Sequence, residues 1–151
     1  MTEPADLQPD LEVAPPPAGH ERPDGVDDVT VAAVGTLTDA METVIRARGH
    51  LYAFHQLTGR ADHRLDDAVK LLRQAGHHDL ADRIETELIG RNVIPGHWTF
   101  RIIEEYDDHY FSLFADLEEQ ACDQLTGGKR HLNEAEMKQR RATPGQPGHE
   151  I

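Results

Sequence analysis

From about residue 30 onward, apolar residues recur at helical spacing, and nowhere do they alternate for long enough to build a sheet. At about 100° per residue, Leu37, Ala40, Met41, Val44, Ala47, Leu51, Tyr52 and Phe54 gather on one face and predict a helix over Leu37–Thr58. Thr36 with Asp39 three residues on resembles a weakened capping box. Gly59 reads as a left-handed stop. The run Val29–Val34 either extends this helix backward across Gly35 or packs as a separate piece.

A second helix is predicted over Ala61–Ala75, with Leu65, Ala68, Val69, Leu71, Leu72 and Ala75 as its stripe and Gly76 as its end. A third, short helix covers Asp79–Ile89, with Leu80, Ala81, Ile84 and Leu88 facing in. Pro95-Gly96 marks a turn. The fourth and longest helix runs over Thr99–Leu125, closed by Gly127-Gly128. Its stripe is Ile102, Ile103, Tyr106, Tyr110, Leu113, Phe114, Leu117 and Ala121. A last helix is predicted over Glu134–Arg141, with Asn133 as cap, Glu136 completing a capping box, and Leu132 and Met137 as a hydrophobic staple. Short connections between striped helices favour antiparallel neighbours. The fold class that follows is all-α, with a four-helix bundle-like core and a short C-terminal helix.

Composition changes this picture at both ends. Residues 1–28 hold six of the nine prolines and the acids Glu3, Asp6, Asp10, Glu12, Glu21, Asp24, Asp27 and Asp28 against the single base Arg22. Such a stretch buries too little apolar surface to offset the entropy of ordering it. It is read as a disordered acidic head, with Pro15-Pro16-Pro17 extended. Residues 29–128 form the helical domain and 129–151 a basic segment, carrying Lys129, Arg130, Lys138, Arg140 and Arg141, with a frayed end. The net charge of −13 repels phosphate backbones, so nucleic acid is not an expected partner. The N-terminus has no basic start followed by an apolar run, and no apolar stretch approaches the ~20 residues of a membrane helix. A cytoplasmic location is the expectation.

Two polar residues interrupt the first helix's apolar face. Arg48 and His55 lie one turn either side of Leu51, and a buried unpaired guanidinium is very costly. Asp107, at the edge of the fourth stripe, is the candidate acid, with Glu87 on the third helix at a similar edge. Tyr52 and Tyr106 add hydroxyls. This cluster is either a structural ion pair with a satisfied histidine or a small-ligand or metal pocket.

Ten histidines prompt a search for metal ligands. The Glu-x-x-His pairs of di-iron bundles do not occur. Glu105 with His109, and His63 with Asp67, read as exposed contacts four residues apart. No metal ligand set is named, and no cofactor is implied. Cys122 is the only cysteine and reads as a small core residue. Ser112, the only serine, has no base beside it, and Gly127-Gly128-Lys129 lacks the spacing of a phosphate loop. No catalytic residues are assigned. Trp98 and Phe100 lie off the main stripe, as do Phe111 and Ile89. They either pack on loops or face a partner, since aromatic residues anchor interfaces.

The stretch from Gly90 to Phe100, followed by Glu104-Glu105-Tyr106-Asp107-Asp108, resembles small helical proteins of actinobacteria, as do Arg48-Gly49-His50-Leu51-Tyr52 and Gly127-Gly128-Lys129-Arg130-His131. The likeness covers about Leu37 to Arg141. It implies a bacterial cytoplasmic setting and carries no activity, cofactor or substrate. The functional expectation is a non-enzymatic module that works through protein contacts, with a protein partner or as a homo-oligomer. Its alternative is a bundle with an internal ligand or metal site at Arg48, His55 and Asp107. A third idea is a basic C-terminal helix that touches an acidic partner.

Overall fold

The computed structural model describes Pro15, Pro16 and residues 18–150. Most of the acidic head, residues 1–14 with Pro17, lies outside the described residues, and with it the expected disorder and part of the proline run. The fold is all-α. Its elements are α1 (Asp28–Gln74), α2 (His78–Glu87), α3 (Thr99–Glu105), a π-helical turn (Tyr106–Phe111), α4 (Ser112–Thr126) and α5 (Leu132–Arg141). Among the described residues the only strand-like pairing is the isolated bridge Ile94–His97, which closes the Pro95-Gly96 turn.

The first two predicted helices are one. α1 runs 47 residues, through Gly35, Gly49 and Gly59. A glycine inside a helix costs only about 1 kcal/mol relative to alanine. With no proline nearby, the flanking stripes outweigh that cost, so Gly59 is not a stop. Residues 29–36 extend α1 backward. Its start is capped by Asp27, whose Oδ1 accepts the Thr30 amide at 2.7 Å. Thr36 is therefore interior, and its hydroxyl donates to the Ala32 carbonyl instead of capping.

The chain divides into two compact units, one of Met1–Asp39 with Leu117–Ile151 and one of Ala40–Asp116. Pieces distant in the chain thus share a unit. In the first unit, Val31, Val34, Cys122, Leu132 and Ala135 are buried, together with Thr38, Glu118 and Thr126. The Thr38 hydroxyl donates to Glu118 at 2.8 Å, and the Cys122 thiol does so at 3.4 Å. Burial raises the thiol's pKa, which keeps Cys122 a protonated core residue.

Arg22 donates from Nε and Nη2 to the two oxygens of Glu136, at 2.8 Å each. The same guanidinium reaches Asp28, and Lys129 donates to the Glu21 carbonyl at 2.9 Å. These contacts fasten the described end of the head to α5. They also consume Glu136, so the expected capping box does not form. α5 begins at Leu132, after His131 in a left-handed conformation with no side-chain cap. Leu132 is buried and Met137 is exposed, so the staple is absent too.

In the second unit, Met41, Val44, Val69, Ala81 and Ile103 are buried. Arg73 joins α1 to α2 through Asp82 at 2.8 Å and Glu85 at 2.7 Å. Asp62 accepts the Gly90 amide at 2.9 Å. Several residues expected to face inward are instead in the open: Phe54, Leu71, Leu80 and Leu88. α2 is ten residues long and buries only Ala81, too short an element to cover a long helix's stripe.

The largest departure concerns the fourth predicted helix. Ile103 and Cys122 are each 2 % exposed, whereas Tyr110, Leu113 and Leu117 are 55 %, 59 % and 52 % exposed. The cause is the π turn. The Ser112 amide reaches back five residues to the Asp107 carbonyl. One extra residue in a turn rotates everything after it by about 100° relative to α-helical register. The stripe that a regular helix would bury is carried outward, and Phe111 is carried inward.

Candidate functional site

α1 and the π turn bring together one of the polar pairs available to the sequence. Arg48 donates from Nε to Asp107 Oδ1 at 2.6 Å and from Nη2 to Oδ2 at 2.8 Å. This is the two-pronged geometry that makes guanidinium–carboxylate pairs strong and directional. Both side chains are about one-third exposed. The guanidinium carbon lies 5.1 Å from the Tyr52 ring centre and 5.1 Å from that of Phe111, so two aromatic faces flank the cation. Phe111 is therefore half-buried against Arg48 and does not stand on an outer patch. Hydrogen bonding to Asp107 raises the Arg48 pKa, and the same bonds hold the Asp107 carboxyl below the usual range.

His55 and Glu87 take other partners. His55 Nδ1 lies 2.7 Å from the Thr99 hydroxyl, and its ring centre lies 4.0 Å from that of Phe100. Glu87 pairs with Arg83 one turn back on the surface of α2, at 2.9 Å. Tyr106 stacks with Tyr110 and with Phe111, at 5.6 Å and 6.5 Å between ring centres. The four-residue contact expected of Glu105 and His109 is also replaced. Glu105 accepts from His97 at 3.0 Å and from Arg101 at 2.9 Å. The Pro95 carbonyl and then Glu105 raise the His97 pKa.

Asp107 has both oxygens on Arg48, and His55 is engaged with Thr99, so the three do not converge on a common point. Among the described residues, no group of three or more His, Cys, Asp or Glu side chains is placed to hold a metal ion. A hollow of about 440 Å³ lies between α1 and the α2 end, lined by Val69, Lys70, Arg73, Glu85 and Ile89. Another, of about 420 Å³, is lined by Leu65, Leu88, Arg91 and Val93. Neither is lined by Arg48 or Asp107. Ile89 is half-buried in the first.

The exposed aromatic and aliphatic residues of this unit are more distinctive. Trp98 is 58 % exposed and meets Phe100 edge-on at 5.8 Å. Val93 and Ile94, just before them, are also exposed. Along the π turn and α4, Tyr106, Tyr110 and Phe114 stack in succession, with Tyr110–Phe114 at 6.0 Å. Thr99 and the π turn are the parts that sequence reasoning missed. Nothing in the apolar pattern signals an extra residue in a turn when the stripe continues unbroken past it.

No helix of the described residues is long and apolar enough to cross a membrane. No family model matches the chain, and neither a curated protein nor a solved structure matches it.

The Arg48–Asp107 pair makes a direct prediction. Asp107→Ala leaves a partly buried guanidinium between two rings without its counter-charge, and about 1–2 kcal/mol of stability is expected to go with it. Because the Asp107 pKa is lowered on folding, its contribution is present above the ordinary aspartate value, about pH 4, and fades as pH falls through the folded value. Urea unfolding at pH 7 and pH 3 checks this: the wild-type advantage over Asp107→Ala shrinks at pH 3. An equal gap at both pH values contradicts it.

Proposed function

We propose that this chain is a non-enzymatic helical module that works by binding protein through the exposed apolar side chains of its Ala40–Asp116 unit. The observation that carries this reading is the exposure of Tyr110 in the π turn and of Leu113 just after it, each more than half exposed. Scattered single apolar residues on a surface are ordinary, whereas contiguous apolar patches mark interaction sites. Trp98 with Phe100 supplies the rigid aromatic type of anchor that dominates interface energetics. In contrast, Arg48 pairs with Asp107, His55 meets Thr99, and Glu87 pairs with Arg83, so these polar groups are engaged within the unit.

The test places a photo-crosslinking amino acid at Trp98 or Leu113 in the full chain, expressed in cells. A discrete adduct above monomer mass, absent when the probe sits at buried Val69, is expected. Irradiation that yields only monomer from both exposed positions would overturn the reading.

A further inference from the structure

We propose that His97 is a pH-sensitive clasp, which holds the Pro95-Gly96 turn to α3 as an imidazolium and releases it when the ring loses a proton. Nδ1 lies 3.2 Å from the Pro95 carbonyl oxygen, and Nε2 lies 3.0 Å from Glu105 Oε2. A carbonyl only accepts, and so does an ionised carboxylate. Glu105 is kept ionised, because His97 and Arg101 together hold its carboxyl below the usual range. Two acceptors require two donors, and imidazole supplies two only when protonated. The neutral ring has one N–H. Whichever contact it keeps, the other then sets a bare nitrogen against an oxygen.

The ring joins two small pieces of structure. The His97 amide donates to the Ile94 carbonyl at 2.8 Å, and the Ile94 amide donates to the His97 carbonyl at 3.3 Å, which closes the turn. α3 follows at once, with no side-chain cap from Trp98, and Glu105 is its last residue. The clasp therefore ties the closed turn to the far end of α3. Two charged groups on α3 bear on the ring with opposite signs: Glu105 favours its charge and Arg101 opposes it. From α1, His55 reaches this segment at Thr99 and Phe100. The Pro95 carbonyl and Glu105 outweigh Arg101, so closure raises the ring's pKa. The stabilisation is then complete below the open ring's ordinary value, about 6.5, and is lost as pH rises through the closed ring's higher one. The clasp is independent of what binds at Trp98 or Leu113.

NMR of the full chain between about pH 5.5 and 8.5, a range that brackets ordinary histidine titration, tests the proposal. It follows the His97 ring and the hydrogen-exchange protection of the Ile94 and His97 amides, each relative to an open chain at the same pH. The ring is expected to titrate above about 6.5. Protection is expected to fall across that titration, roughly tenfold for each pH unit by which closure raises the pKa. Glu105→Gln introduces an amide that donates as well as accepts, so a neutral ring satisfies both nitrogens. In that variant the ring is expected to titrate lower than in the wild type, and protection to stay level across its titration. A wild-type ring that titrates at or below about 6.5, protection that does not change across its titration, or a step that survives in Glu105→Gln overturns the proposal.

Discussion

Ile103→Ala is expected to cost between about 2 and 5 kcal/mol, and Leu113→Ala less than about 0.5 kcal/mol. A regular helix puts these two residues on one stripe, so an unbroken α-helical register assigns them comparable losses. The π turn separates them. Ile103 precedes it and is 2 % exposed, the bulkiest fully buried side chain among the described residues, while Leu113 follows it and is 59 % exposed. Truncating Ile103 opens a cavity inside the Ala40–Asp116 unit, whose walls collapse only in part. Truncating Leu113 removes atoms that water already reaches. Urea unfolding measures both. Equal losses mean that the helix keeps α-helical register through Tyr106–Phe111, and the exposed face of Tyr110 and Leu113 then disappears with the π turn.

The all-α class, the Pro95-Gly96 turn and the contact of Arg48 with Asp107 were legible in the sequence because each follows from a local rule. Helical spacing gave the class. A guanidinium on an apolar face needs an acid, and Asp107 was the acid at the nearest edge. What escaped was set by register and by distance along the chain. The exposure of Tyr110 and Leu113 depends on one extra residue in a turn, which shifts faces by about 100° without altering composition. Glu136 looked like half of a capping box until Arg22, 114 residues away, took both its oxygens. His55 likewise meets Thr99, a residue with no distinguishing spacing. Local propensity is a weak prior wherever a tertiary partner makes a better bond.

Gly59 illustrates the same contest and gives the second large effect. In a left-handed helix stop, Gly→Ala strains the backbone, and a proline just beyond is tolerated. In the interior of α1 both signs reverse. The backbone there is right-handed helix, and a Cβ built on Gly59 meets no atom within 4 Å. Gly59→Ala is therefore expected to stabilise the protein by about 0.5–1 kcal/mol, by lowering the entropy of the unfolded chain. Gly59→Pro removes a helical hydrogen bond and clashes with the preceding turn, at a cost of about 3 kcal/mol or more. The pair is informative because no single packing change imitates it: an open loop shows neither effect, and a turn shows the opposite sign for alanine. Helical circular dichroism together with urea unfolding of both variants reads the outcome. Destabilisation by alanine would split α1 at Gly59 and restore the two shorter helices that the stripes alone suggest.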